Sequence, residues 1–277
     1  MIFIDALVLK IKGNDSLCVR CFSLKFCKIQ LILNEVQELF EKYKHKQGRH
    51  RKLEPLFCVL LYLYFLKNCC SLEKLGLMFN VSTSTAWRYV KFMSIVFEKL
   101  ECLNNVYIEN SDFLLVDGTE TKTERPLSSG SCNLFYGRKK MFSVKTQVII
   151  DPFNMKVVSI GCCEGSIHDF ELFKCTYGSL SLNSKTCLVA DAGYTGIRKI
   201  HSNSFCILKK PPKGVLNAQQ RNFNRCISNF RVKNEHVIGK LKFWKIFNGV
   251  FRHCKCLLYS FFRYSRIVAS LYNFGLN

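Results

Sequence analysis

Acidic residues are scarce in this sequence. Its 277 residues include only 20 Asp and Glu against 41 Lys and Arg, which gives a formal net charge of +21. A chain with so large an excess of one sign repels itself until an anion neutralises it, and the phosphates of DNA or RNA are the usual anions. The sequence therefore predicts a polyanionic partner; a solvated positive surface is the alternative interpretation.

An apolar run long enough to cross a bilayer is also lacking. The run Leu56–Leu66 is too short for a membrane span and predicts a buried helix instead. The apolar segment Met1–Leu9 has no basic residues before it and lysines after it, so it makes a poor secretory signal. We expect no membrane association and an intracellular protein, in the cytoplasm or nucleoid of a bacterium or in the nucleus of a eukaryote.

A complete set of zinc ligands is missing, although the chain has 16 cysteines. Cys18 and Cys21 form a C-x-x-C pair with Cys27 nearby, but no second C-x-x-C or C-x-x-H supplies the other ligands that a structural site needs. Cys254 and Cys256 are conceivable partners. Most other cysteines lie in apolar runs or adjacent pairs, where free cysteine behaves as a small hydrophobe. This pattern favours a reducing compartment over a disulfide scaffold.

Internal repeats and low-complexity tracts are absent too. A hydrophobic fraction of 48% excludes a wholly disordered chain, and the length allows one large domain or two smaller ones. Residues 1–52 form a poorly defined segment, with helical spacing over Ile29–Glu41 and a basic stretch over Lys42–Lys52. The basic stretch is either a solvated linker or an arm that contacts phosphate.

Residues 53–100 carry the pattern of a helix-turn-helix. A strongly apolar helix is expected over Leu53–Lys67; Ser71 and Ser82 (or Thr83) can cap two further helices, and Asn80 tolerates the left-handed turn between them. The stripes expected to be buried are Leu72, Leu75 and Phe79, then Ala86, Tyr89 and Val90. The side chains that the second helix would offer to a DNA groove are Thr83, Ser84, Thr85 and Arg88. An ordinary helical hairpin is the alternative.

From residue 111 onward, strand and helix patterns alternate. The expected elements are, in order, strands Phe113–Asp117, Ser143–Asp151 and Lys156–Gly161, helix Asp169–Cys175, strand Thr186–Asp191 and helix Ala218–Phe247. Turn residues over Asp151–Asn154 predict a hairpin between the second and third strands. This order predicts an α/β domain built on a mixed sheet.

Three acids occupy unusual places in that domain. Asp117 and Asp191 each end an apolar strand, and Glu235 lies in the middle of a helix, between Arg231 and Lys242 on one face. Acids brought together at a sheet edge repel each other unless a cation neutralises them. The small residues that follow both aspartates would let a metal or substrate approach. Solvated strand ends and a helix-surface salt bridge are the alternatives.

An ordered series of motifs resembles the DDE-superfamily transposases of the bacterial insertion-sequence and PIF/Harbinger type. The series runs over roughly residues 50–250 in the family's order. Its motifs are Val116–Glu120 with Glu124–Pro126, Lys145–Asp151, Gly165–Phe170, Ala190–Tyr194 and Glu235–Lys242. The helix-turn-helix pattern resembles the small domain that precedes the catalytic region of these enzymes.

The resemblance implies a ribonuclease H-like catalytic domain over 111–275, in which Asp117, Asp191 and Glu235 are catalytic. It implies two Mg²⁺ (or Mn²⁺) ions, held by Asp117, Asp169, Asp191 and Glu235. Oxygen-only ligands suit these metals better than zinc. Whether Asp169 or Asp191 is the essential second acid stays open.

The implied activity is that of a DNA transposase. It cleaves transposon ends at terminal inverted repeats in double-stranded DNA and joins the 3′-hydroxyl to target DNA, as a homodimer or larger assembly. The alternatives are a catalytically inactive transposase-derived DNA-binding protein and a nuclease without strand transfer. Basic residues near the acids are expected to contact phosphate. They are Arg125, Arg138, Lys139, Lys140, Lys145, Lys209, Lys210, Arg231 and Lys242.

Some positions depart from the family. Residues near Met141–Phe142 and over 253–258 are less basic than in its members, and the first 40 residues match poorly. These departures would suit a decaying copy. His168 and His236 adjoin the acids, but a metal-bound water needs little help from a general base, so phosphate contact or packing is the expectation for both.

Overall fold

A computed structural model describes residues 2–42, 53–104, 111–125, 135–136, 139–178, 180, 182–212, 214–252 and 257–276. Most of the basic stretch after Lys42, as well as Arg138, Cys254 and Cys256, lies outside the described residues. The chain divides into two compact units. Unit 1 comprises Met1–Asn105, Phe243–Arg252 and Arg263–Asn277, and unit 2 comprises Val106–Lys242 and His253–Phe262. The catalytic range 111–275 expected from the sequence takes in segments of both.

Unit 1 is helical. Its first seven helices are α1 (Ile2–Lys12), α2 (Asp15–Phe22), α3 (Phe26–Lys42), α4 (Pro55–Asn68), α5 (Leu72–Phe79), α6 (Thr83–Phe97) and α7 (Glu101–Asn104). Helix α4 packs against α2, α3 and α6; seven of its 14 residues are buried and the other seven are partly buried. A helix that is apolar on all sides is expected to be enclosed in this way. The helix expected over Leu53–Lys67 is confirmed.

Helices α5 and α6 meet in the tight turn that the sequence predicts. The Ser71 and Ser82 side chains accept hydrogen bonds from Lys74 N–H and Thr85 N–H, and Asn80 is left-handed with φ 50°. An added Cβ at Gly76 would lie 2.6 Å from the Val81 carbonyl oxygen, so only glycine fits there. The caps and the turn are confirmed. Whether the pair binds DNA is a separate question.

Unit 2 is built on a mixed sheet. Its strands are β1 (Phe113–Lys122), β2 (Phe135–Tyr136), β3 (Met141–Ile150), β4 (Val157–Glu164), β5 (Cys187–Ala190) and β6 (Ser204–Cys206). They lie in the order β4-β3-β1-β5-β6, with β2 paired to one end of β3. The β1–β3 and β3–β4 pairs are antiparallel, whereas β1–β5 and β5–β6 are parallel. The expected α/β mixed sheet is confirmed; β2 and β6 were not expected.

The β3–β4 hairpin closes as its turn residues predict. The Asp151 carboxylate accepts hydrogen bonds from Phe153 N–H and from the Asn154 side chain, and Asp151 N–H donates to the Lys156 carbonyl. Strand β1, in contrast, does not end at Asp117. It continues to Lys122 because β3 pairs with it along that whole length.

The remaining α-helices of the described chain are α8 (Asp169–Tyr177), α9 (Ala218–Leu241), α10 (Lys245–Asn248) and α11 (Leu257–Leu276), and two short 3-10 helices, Ala192–Tyr194 and Ile197–Lys199, follow β5. The single long helix expected to reach Phe247 is wrong. Helix α9 ends at Leu241, and extended backbone at the buried Trp244 separates it from α10. Within the described residues, no helix is both long and apolar enough for a membrane span.

Candidate active site

Strand register brings Asp117 and Asp191 side by side. Strands β1 and β5 run parallel, and their last paired residues are Val116 and Ala190. Asp117 and Asp191 each follow directly, so both leave the paired region at the same edge. Neighbouring strands lie about 4.8 Å apart. The acids are therefore close together although 74 positions separate them in the chain.

Arg231 of helix α9 bridges these two carboxylates. One guanidinium nitrogen lies 3.1 Å from Asp117 Oδ2, and the other lies 3.1 Å from Asp191 Oδ1. The Arg231 and Asp117 side chains are 15% exposed, and that of Asp191 is 44% exposed. A single cation of the chain thus holds both acids at the mouth of the site.

Asp117 is the most desolvated of the acids. Burial raises the pKa of its carboxyl, and the neighbouring charge of Asp191 raises it further. The Arg231 guanidinium and the Gly118 N–H, which donates to Asp117 Oδ1 at 2.8 Å, oppose the rise. The pKa remains above its ordinary value, as expected for a carboxylate whose surroundings lack sufficient positive charge.

Asp169, in the first turn of α8, lies beside the glycines that follow Asp117 and Asp191. Its Oδ1 lies 3.0 Å from the Nζ of the buried Lys145. An added Cβ at Gly118 would lie 3.4 Å from Asp169 Oδ1, and one at Gly193 would lie 2.9 Å from Asp169 Oδ2. The glycines that follow Asp117 and Asp191 in sequence thus make room for this third carboxylate.

Tyr194 lies beneath the three aspartates. Its ring is buried, and its hydroxyl has no hydrogen-bond partner within the described part of the chain. Burial raises the pKa of this phenol well above its ordinary value, and the charges of Asp169, Asp117 and Asp191 add to the rise in that order. Tyr194 was not expected to belong to the site. Its position three residues after Asp191 was the available signal.

Glu235 lies one helical turn beyond Arg231 on α9, where residues four apart are surface neighbours. Its side chain is exposed. The adjacent Asn234 is 1% exposed, and neither its amide oxygen nor its amide nitrogen has a partner within the described residues. Asp117 and Asp191 therefore share the Arg231 guanidinium, and Asp169 lies beside Gly118 and Gly193. The Glu235 side chain lies in solvent on the helix that supplies Arg231.

The donor set suits a hard divalent cation, since every donor is a carboxylate oxygen. The orphaned Tyr194 hydroxyl and the space kept open by Gly118 and Gly193 also fit a ligand held among the aspartates. Arg231 and Lys145 neutralise the acids through ion pairs. Over the described residues, no three His, Cys, Asp or Glu side chains are grouped so that they could hold an ion.

The basic residues expected to contact phosphate have different surroundings. Arg231 and Lys145 pair with the aspartates rather than facing solvent, and Lys139 Nζ lies 3.0 Å from Glu120 Oε2. Lys242 lines a groove of 290 Å³ together with Asp169. The remaining described members are exposed: Arg125, Lys140, Lys209 and Lys210. His168 caps α8, because its ring nitrogen accepts the Phe170 N–H at 3.3 Å.

On α6, the side chains expected to face DNA and those expected to face inward separate as predicted. Thr83, Ser84 and Arg88 are exposed and Thr85 is partly buried, whereas Ala86, Tyr89 and Val90 are buried. Thr83, Ser84 and Arg88 line a surface cleft of 390 Å³ with the exposed Trp87.

Comparison with known proteins agrees with the resemblance read from the motifs. Residues 116–273 match the family described as DDE superfamily endonuclease. The chain is also 31% identical over 251 residues to the probable transposase for insertion sequence element IS702 of Microchaete diplosiphon, covering 87% of this chain and 88% of the relative. No solved structure shows a significant match. The chain belongs to the DDE superfamily endonucleases.

Proposed function

We propose that this protein is a DNA transposase whose unit 2 cleaves transposon ends and joins their 3′-hydroxyls to target DNA. The observation that carries the proposal is the meeting of Asp117, Asp169 and Asp191 at one sheet edge. The charges of all three carboxylates act on the buried Tyr194 hydroxyl, which has no hydrogen-bond partner among the described residues. They suit the binding of cations at a phosphodiester.

In this proposal Asp117, Asp169, Asp191 and Glu235 hold the divalent ions that endonucleases of this family generally use. When bound, Mg²⁺ or Mn²⁺ supplies a nucleophile at neutral pH and stabilises the leaving oxygen. Lys145 fixes the Asp169 carboxylate, and the Gly118 N–H fixes that of Asp117. Arg231 keeps the acidic pair neutralised when no ion is present.

The exposed polar face of α6 is proposed to contact double-stranded DNA at the terminal inverted repeats. Synapsis of two ends then calls for at least a homodimer, and the substrate places the protein inside the cell. Two alternatives are kept for the test: a nuclease without strand transfer, and a DNA-binding protein without cleavage. The acids of the site argue against the second alternative.

The test is a cleavage assay on duplexes that carry the inverted repeats flanking the gene, with Mg²⁺, Mn²⁺ or a chelator. The wild type is compared with Asp117→Asn and with Asp112→Asn, which changes an exposed acid five residues earlier. We expect metal-dependent nicks with 3′-hydroxyl ends that join to a target plasmid. The Asp112→Asn control should cleave like the wild type.

Each alternative has its own outcome. Nicks without joined products would identify a nuclease without strand transfer. Tight DNA binding without cleavage by the wild type would identify a non-catalytic binding protein. An Asp117→Asn variant that cleaves as fast as the wild type would remove this carboxylate from the site.

A further inference from the structure

A cleft in unit 1, outside both the acidic site and the polar face of α6, concentrates positive charge. It has a volume of 350 Å³ and lies at the junction of α4 and α5, beside α10. Its lining residues are Asn68, Cys69, Cys70, Ser71, Lys74, Lys245, Gly249, Val250 and Arg252. Three of these residues are cations and none is an acid.

Two chain segments distant in sequence build this basic cleft. Lys74 comes from the first turn of α5, whereas Lys245 and Arg252 come from α10 and the segment after it. The two segments are in contact: an added Cβ at Gly249 would lie 3.7 Å from Cys69 Cβ, and the Cys69 thiol lies 3.9 Å from the Val250 carbonyl oxygen. The grouping of the cations thus follows from the fold of the unit.

A neighbouring lysine, Lys67, lies close enough to Lys245 for the two charges to interact. Burial lowers the pKa of Lys67, and the charge of Lys245 lowers it further. Its ammonium lies over the Phe243 ring, 5.6 Å from the centroid. Cations that line one cleft repel one another, and an anion bound between them relieves that repulsion.

We propose that this basic cleft binds a backbone phosphate of double-stranded DNA, with Lys74, Lys245 and Arg252 as its ligands. The inference rests on the proposed function in taking DNA as the substrate. Helix α5 is the first helix of the α5–α6 pair, and in helix-turn-helix docking the first helix crosses the DNA backbone while the second enters the groove. The cleft lies at the start of that first helix, where a backbone phosphate would pass.

A phosphate contact carries no sequence information, so it positions the duplex without reading it. The Lys74→Gln/Lys245→Gln variant is therefore expected to lose affinity equally for duplexes with and without the inverted repeat. The loss should be on the order of tenfold, and the slope of log K against log salt should become shallower by about 1.

The experiment measures duplex affinity by fluorescence anisotropy over a salt series. The matched control is Lys10→Gln/Lys12→Gln, which removes the same charge from exposed positions of unit 1. Lys74→Arg/Lys245→Arg keeps the charge and should bind like the wild type. Thermal unfolding of each variant shows whether it folds.

Three outcomes would overturn the inference. The cleft variant could bind duplexes with the same affinity and salt slope as the Lys10/Lys12 control. A matched RNA duplex could bind more tightly than DNA in a way that depends on Lys74 and Lys245. Inorganic phosphate could raise the melting temperature of the wild type, but not of the cleft variant, while duplex affinity stays equal.

Failure of the inference differs from failure of the proposed function. If cleavage depends on Asp117 but the cleft variant binds duplexes as the wild type does, the phosphate-binding role of the cleft is rejected and the transposase function is retained. If the wild type never cleaves DNA but the cleft variant loses duplex affinity, the phosphate-binding role of the cleft is retained and the transposase function is rejected.

Discussion

Asp117 and Asp191 owe their positions to pairing between two strands, whereas Thr83, Ser84 and Arg88 owe theirs to a single capped helix. In unit 2 the site exists only after residues 74 positions apart have come together. In unit 1 the polar face is complete once Ser82 has capped α6 and Asn80 has turned the chain. One site therefore depends on long-range register and the other on local sequence. Changes in one are expected to leave the other working.

The largest expected effect is on cleavage alone. Asp191→Asn should lower the cleavage rate by about 1000-fold or more, since bound metal stabilises the transition state by several kcal/mol and each 1.4 kcal/mol is about tenfold. Duplex affinity, measured by anisotropy, should stay within about twofold of the wild type. Parallel losses in cleavage and binding would show that the two regions are not separable.

The reverse separation is expected at Arg88. Arg88→Gln should weaken binding to the inverted repeat by about 1–3 kcal/mol if the side chain contacts a base edge, and it should weaken binding to unrelated duplexes less. Lys91→Gln, which changes an exposed cation one turn along α6, is the control. Equal losses on both duplexes would mean that α6 contacts the backbone and does not read sequence.

A finer test compares two glycines within the acidic site. Gly193→Ala places a Cβ 2.9 Å from Asp169 Oδ2, whereas Gly118→Ala places one at the ordinary contact distance of 3.4 Å from Oδ1. The first should displace a carboxylate that Lys145 holds, lowering cleavage by about tenfold, because misplacing a reacting group by 1 Å costs up to about 100-fold. Thermal unfolding should barely change, because a side-chain end can shift. A larger loss in Gly118→Ala would contradict the assignment.

The smallest expected effect is on metal affinity. Arg231 competes with any ion for Asp117 and Asp191, so Arg231→Gln should tighten Mn²⁺ binding by about fivefold, given that a part-exposed ion pair contributes up to about 1 kcal/mol. The Mn²⁺ affinity is measured by titrating DNA-free protein with Mn²⁺ and recording the paramagnetic resonance signal of the free ion. Arg225→Gln, at an exposed position on α9, is the control. Weaker Mn²⁺ binding would mean that Arg231 helps to hold the site open for the ion.

The sequence predicts local features of this fold well. The caps at Ser71 and Ser82, the left-handed Asn80 and the Asp151 turn each depend on side chains within a few residues of the backbone they bond. The alternation of strand and helix over unit 2 is also visible, because apolar periodicity records which face is buried.

Features that depend on contacts between residues far apart in the chain could not be predicted from the sequence. The full length of β1 depends on β3, and the break between α9 and α10 coincides with the buried Trp244. From its helix alone, Arg231 was expected to contact phosphate. In the structure it pairs with Asp117 and Asp191. The ion pair of Lys145 with Asp169 was equally beyond prediction, since a place in a strand does not reveal which distant side chain the ammonium contacts.

The Val116–Ala190 pairing also limits which insertions and deletions the protein can tolerate without losing activity. Side chains alternate along a strand, so the loss of one codon within Phe113–Val116 would turn Asp117 to the opposite face of the sheet. A lost codon within β5 would do the same to Asp191. Single-codon deletions in these two short stretches should therefore be as inactivating as replacement of either aspartate.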